Sequence, residues 1–226
     1  MSNWIPLQSN PEILNMYLRK LGVSEDWSAY DVLGLDPELL ELVPKPAKAL
    51  ILLFPCSEKY EQYRLAEDAK LKETNPEYPS NLFYMKQTIP NACGACALIH
   101  AISNNEDISL DDGILKNYLK EALDRTPEER GKLLEENKSF TDTHEDLASD
   151  GPPESHAEGE NNHYVALIQK DGELYELDGR KSFPVKHGPT TAEQFLEDAA
   201  KVCKEFMARD PDEIRFTVSA IAPTEN

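Results

Sequence analysis

The stretch Lys86-Gln-Thr-Ile-Pro-Asn-Ala-Cys-Gly-Ala-Cys-Ala-Leu-Ile-His-Ala-Ile102 decides how the chain is organised. From Ala92 to Ile102 nearly every position is apolar or small. A helix that is apolar all round has no face to give to water, so this one is expected to run through the middle of a domain. Its opening turn carries Cys93-Gly-Ala-Cys96, a spacing with three chemical readings: a redox dithiol, half of a zinc site, or one nucleophile beside a buried neighbour.

Working outward, Asn10-Pro11-Glu12 is a helix start, with a capping residue, proline at the first helical position and an acid at the positive end of the dipole. That helix is expected to reach Leu21, with Gly22 as terminator. Ala49-Leu-Ile-Leu-Leu-Phe54, closed by Pro55, reads as a strand buried on both faces. Ser57 to Glu73 is charged at helical spacing and reads as a surface helix, and Leu82–Met85 as a short strand. Two helices are expected at 112–125 and 127–136, the second opened by the capping box Thr126-Pro-Glu-Glu129.

Between Thr141 and Asn162 the pattern collapses into seven acids, two prolines, two glycines and no Lys or Arg, which predicts a mobile loop. His163–Gln169 and Glu173–Leu177 then alternate about Asp171-Gly172, a strong hairpin signal. A second capping box, Thr191 with Gln194, opens a helix to Arg209, and Arg215–Ile221 closes the chain as a strand. No repeat or linker divides the 226 residues, so one α/β domain is expected.

Composition narrows the function. With 23 Lys+Arg against 42 Asp+Glu, the net charge of -19 disfavours nucleic acid and anionic membranes and suits a cationic partner, although a solvated acidic surface explains it equally well. No charged-then-apolar leader and no run near the ~20 residues of a membrane span are present. Four cysteines are too sparse for a disulfide scaffold, which fits a reducing compartment, cytoplasmic with the nucleus as a second site.

The ligand inventory argues against zinc, because Cys56 and Cys203 are isolated and no His pair stands at ligand spacing. The redox reading needs an early β-α-β context that this pair lacks. A nucleophile needs a base and an orienting group. If Asp171-Gly172 is a two-residue turn, Lys170 pairs with Glu173 and His163 stands opposite Arg180, with Asp178 two residues away on the same face. Such diagonal neighbours have Cα atoms roughly 7–8 Å apart, within reach of a carboxylate for an imidazole, whereas a one-residue slip separates them. Gln87 offers an amide to a developing oxyanion beside the Cys93 N–H, with an ordinary surface amide as its plain alternative. Of the other histidines, His100 is expected inside the core, His144 and His156 in the acidic loop, and His187 in a Gly-Pro turn.

These residues, with Trp4-Ile-Pro-Leu, Leu52-Leu-Phe-Pro55, Gln87–Gly94, Leu98-Ile-His-Ala101, Pro127-Glu-Glu-Arg130, Leu174-Tyr-Glu-Leu-Asp-Gly-Arg-Lys181 and Phe206–Pro211, resemble the minimal, single-domain ubiquitin carboxyl-terminal hydrolases essentially end to end. The resemblance implies a papain-like α+β fold: a central antiparallel sheet flanked by helices, with a knotted backbone. It implies Cys93 as nucleophile, His163 as base, Asp178 as its orienter and Gln87 as oxyanion donor, with no cofactor and no metal. It implies a monomer that binds ubiquitin through Pro6, Leu7, Gln8, Ser9, Asn10 and Pro11 and through Glu213, Ile214, Arg215, Phe216, Thr217 and Val218, with Nedd8 left open as a second modifier. Residues 141–162 align with a loop crossing the active site, whose acids Asp146, Asp150, Glu154 and Glu158 suit the arginines of the ubiquitin tail. Ala95-Cys96 and Pro90 depart from the usual pattern, so the second cysteine is this chain's own and leaves an oxidative side reaction open. A thioredoxin-like redox protein and a non-catalytic ubiquitin-binding protein are the alternatives.

Overall fold

The computed structural model of the chain describes residues 4–149 and 162–225. Six strands form one antiparallel sheet: β1 (Trp27–Asp31), β2 (Ala49–Pro55), β3 (Asn162–Lys170), β4 (Glu173–Leu177), β5 (Val185–Pro189) and β6 (Thr217–Pro223), in the order β1-β6-β2-β3-β4-β5. The last strand therefore lies between the first two. Eight helices accompany it among the described residues: α1 (Pro11–Leu21), α2 (Pro37–Leu40), α3 (Glu58–Thr74), α4 (Cys93–Ser103), α5 (Ile114–Ala122), α6 (Pro127–Glu136), α7 (Lys138–Ser149) and α8 (Phe195–Arg209).

The central strands are buried on both faces, as the unbroken apolar run of β2 implies. Ile51, Tyr164, Ala166 and Ile168 join the core of α1, α4, α5 and α7, while Leu50, Leu52, Phe54, Val165 and Leu167 join that of α2 and α8. α4 is buried at every position from Cys93 to Ile102. Asn10 caps α1 by accepting from Glu12 N, Gly22 ends it at φ 93°, and the reciprocal Thr126–Glu129 capping box opens α6. The β3–β4 register is the expected one, Lys170 opposite Glu173 and Ala166 opposite Leu177. Asp171 (φ 50°) and Gly172 (φ 79°) occupy the left-handed region that a tight hairpin turn requires.

Five expectations are corrected. Leu82–Met85 is extended but pairs with no strand, because side chains of the buried helix take its backbone groups. Asn104 accepts from Phe83 N (2.7 Å) and donates to Phe83 O (2.9 Å), and His100 Nε2 accepts from Met85 N (3.0 Å). Burial holds the His100 imidazole down to about 4, so it stays a neutral acceptor. The supposed loop from Thr141 is helical to Ser149, and 150–161, including His156, lies outside the described residues. His144 is accordingly not a loop residue: it is buried on α7, stacked on Trp4 at 4.3 Å, with Nε2 2.6 Å from Ile5 O. His187 stands on β5 rather than in a turn, 2.9 Å from Glu176. At the C-terminal end α8 begins at Phe195, after a turn in which Thr191 accepts from Gln194 N, and the closing strand runs Thr217–Pro223. β1, β5 and the four-residue α2 were not anticipated.

Asn104→Ala removes the partners of two buried backbone groups at once. We expect it to destabilise the fold by about 2–5 kcal/mol, measured by urea unfolding, whereas a stability within error of the parent chain would contradict this account of the 82–85 segment.

Candidate active site

Cys93 is the first residue of α4, and no side chain caps that helix, so the N–H groups of its first turn point at whatever sits there. Asn91 in the left-handed region (φ 64°) turns the chain into the helix and donates to Trp4 O at 2.8 Å. Gly94 is required by close packing: a β-carbon there would lie 2.9 Å from Leu7 Cβ and 3.3 Å from the Tyr164 ring. Tyr164 in turn donates to Leu7 O at 2.9 Å, so the N-terminal segment is tied across the start of α4.

His163, at the beginning of β3, and Asp178, one residue beyond β4, are both buried and meet at 2.7 Å between Nε2 and Oδ1. The hairpin register thus brings together the two residues that the sequence placed as diagonal neighbours. Asp178 Oδ1 also accepts from Arg180 N at 2.9 Å. With Nε2 committed to Asp178, Nδ1 is the ring nitrogen left to serve Cys93, whose thiol is lowered by His163.

The electrostatics follow from burial opposed by pairing. Burial alone would lower His163, yet the charge and hydrogen bond of Asp178, with Cys93 added, raise it to about 9. Burial would raise Asp178, but His163 and the Lys181 charge hold it well below the usual carboxylate range. Burial would likewise raise the Cys93 thiol, and His163 together with the Tyr164 and Gly94 backbone brings it below its ordinary value. Both shifts run in the direction that favours a thiolate beside an imidazolium.

Cys96, one turn further on, is 3% exposed, and burial pushes its thiol far up, so it behaves as a small core hydrophobe. Gln87 is locked to the Asp178 turn, its N–H donating to Gly179 O at 2.9 Å. Its side-chain Nε2 donates to Ile89 O at 3.0 Å, which leaves one amide hydrogen for an incoming oxygen. Tyr164, Asn91 and Lys181 were missed by the sequence reading; only Lys181, in the cation pair Arg180-Lys181 that follows the hairpin arm, carried a signal. Among the described residues no group of three His, Cys, Asp or Glu could hold a metal, and no helix is long and apolar enough to cross a membrane.

Of the residues expected at a partner surface, Pro6, Asn10 and Arg215 are exposed, Ile214 is 86% exposed, and Gln8, Ser9, Pro11, Glu213, Phe216 and Thr217 are half-buried. Leu7 and Val218 are buried, Leu7 against Gly94 and Val218 within the sheet, so neither presents a side chain. Asp146 is exposed on α7, and Asp150, Glu154 and Glu158 lie outside the described residues.

Residues 4–208 match the profile of ubiquitin carboxyl-terminal hydrolase, family 1. The chain belongs to that family. A ubiquitin carboxyl-terminal hydrolase of Drosophila melanogaster is 53% identical over 226 residues, covering 100% of both chains. Isozyme L1 of Homo sapiens is 43% identical over 218 residues, 96% of each. The catalytic domain of Trichinella spiralis UCH37, solved bound to ubiquitin vinyl methyl ester, shares the fold at a TM-score of 0.77 and 24% identity, over 99% of this chain and 97% of that one.

Because His163 is what overcomes burial at Cys93, His163→Ala should return the thiol to the protonated form. Alkylation of Cys93 by iodoacetamide at pH 7, followed by peptide mass spectrometry, is expected to slow at least about tenfold; an unchanged rate would contradict the pairing.

Proposed function

We propose that this chain is a thiol-dependent deubiquitinating hydrolase that cleaves esters, thioesters, amides and small peptide adducts after the terminal glycine of ubiquitin. The observation that carries the reading is the buried 2.7 Å bond of His163 to Asp178 beside Cys93 at the uncapped start of α4, with His163 lowering the thiol and Asp178 raising the imidazole.

The Cys93 thiolate attacks the glycyl carbonyl carbon, and the carbonyl electron pair moves onto oxygen. The Cys93 N–H at the start of α4 and the free hydrogen of Gln87 Nε2 stabilise that oxyanion. Collapse breaks the bond to the leaving amine, alcohol or thiol, which takes the Nδ1 proton of His163, and a thioester remains on Cys93. Water then gives a proton to the now neutral His163 and attacks the thioester, restoring the thiolate and releasing the ubiquitin carboxylate. Asp178 keeps the imidazole in the tautomer and orientation both steps need.

The Trichinella spiralis relative's complex with ubiquitin vinyl methyl ester supports ubiquitin as the partner, and the charge of -19 would steer its basic tail. We further propose that Pro6, Asn10, Ile214 and Arg215 contact the body of ubiquitin. The chain would act as a single-domain monomer. Four free cysteines support a reducing compartment, cytoplasmic or nuclear. Nedd8 is a second substrate to assay beside ubiquitin. The redox reading is disfavoured by the strongly raised Cys96 thiol, and a purely binding role by the complete site.

Cys93→Ala is expected to abolish hydrolysis of a fluorogenic ubiquitin C-terminal amide, and Cys96→Ala to leave kcat/KM within about threefold. Gln87→Ala should lower kcat by about a hundredfold. Equal loss in both cysteine variants, with disulfide-reductase activity in the parent, would replace the hydrolase by a redox enzyme.

A further inference from the structure

The helix read as a surface helix has an unusual inner face. Of the 17 residues of α3, only Tyr60, Arg64 and Asp68 are buried, so carboxylates and a guanidinium occupy the place where a helix normally presents its apolar stripe. Those groups converge on the turn that follows Asp178. Glu61 receives both oxygens' worth of hydrogen bonds from Arg180 Nη2 (2.9 and 2.8 Å) and is braced by Arg64. Glu67 pairs with the fully buried Lys181. Asp68 accepts from Ser182 N at 2.6 Å and from Ser182 Oγ at 3.1 Å. Three successive residues, Arg180, Lys181 and Ser182, are thus gripped by one polar helix face. On the opposite side the segment leading to Gln87 completes the clamp: Tyr84 donates to Asp178 O (2.7 Å) and to Lys181 O (2.5 Å).

We infer that the carboxylate row Glu61, Glu67 and Asp68 of α3 is a positioning device for Asp178, holding its turn so that Oδ1 faces His163. The inference rests on the role proposed above for Asp178. Without apolar burial to fix it, the turn is specified by directional bonds, which set an angle as well as a distance. His163 of β3, Lys181 and Arg180 of the turn itself and, further out, Lys86 and Arg64 are the charges around Asp178, with the titratable Cys56, Tyr60, Tyr84, Cys96 and His100 also within its field, while Cys93 of α4 faces His163 from the other side.

The experiment compares Asp68→Ala, Glu61→Ala, Asp68→Asn, Asp178→Ala and the exposed α3 control Lys70→Ala. The readouts are kcat, KM and the pH profile of kcat/KM on the fluorogenic ubiquitin amide, with enzyme concentration set by active-site titration. His163 must be an imidazolium to protonate the leaving group, so activity falls as pH rises through its titration. A misplaced Asp178 raises His163 less, and the alkaline limb moves to lower pH. Asp68→Ala and Glu61→Ala are expected to lower kcat about tenfold with KM within about twofold, and to move the alkaline limb down by about one pH unit. Asp68→Asn keeps an oxygen for Ser182 N–H and should stay near the parent profile, as should Lys70→Ala. A lower active fraction with unchanged kcat and limb would mark α3 as merely structural and overturn the inference. If Asp178→Ala collapses activity while Glu61→Ala and Asp68→Ala keep the parent limb, the inference fails and the hydrolase reading stands. If Asp178→Ala itself keeps parental kcat and limb, the role of Asp178 falls and the inference with it.

Discussion

The 2.7 Å bond between His163 and Asp178, buried at both ends, is the constraint around which this molecule is arranged. An imidazole and a carboxylate removed from water are costly unless each satisfies the other, so their elements must meet in one register and no other. That register is set by two residues, Asp171 and Gly172, whose positive φ closes β3 onto β4 without slack. The nucleophile is delivered independently, by a helix apolar enough to lie against β3 and small enough at Gly94 to approach Tyr164.

Raising His163 from 6.5 to about 9 corresponds to roughly 3 kcal/mol in favour of the imidazolium. Because its folded value lies above its ordinary one, the stability it contributes is complete below about pH 6.5 and is lost as pH rises through about 9. Asp178 works in the opposite sense: its contribution is present above the ordinary carboxylate range and disappears only in strong acid. Between these limits the site is ion-paired, which is the state a thiolate nucleophile with a proton-donating histidine requires.

Much of this was legible in the sequence wherever one local signal carried a long-range consequence. The Asp-Gly turn implied the register, and the register implied that His163 and Asp178 meet. The uninterrupted apolar stretch from Ala92 implied a central helix and, with it, a different environment for each of the two cysteines. What escaped was structure whose partners are not local. Leu82–Met85 has the composition of a strand, yet its backbone bonds to His100 of α4 and to Asn104, the residue that follows it. α7 has its buried residues Phe140, His144 and Leu147 at helical spacing, but the acids between them masked it. β1 and β5 are short edge strands with little alternation. The polar face of α3 could not be read at all, because a carboxylate that grips a turn and one that faces water are the same letter.

The central claim is that Asp178 makes His163 a cation at neutral pH, and the most direct test is an NMR titration of the His163 side chain in the intact protein. The account predicts an imidazolium at pH 7 that loses its proton near pH 9. A His163 already neutral at pH 7, titrating at or below the ordinary value, would contradict it.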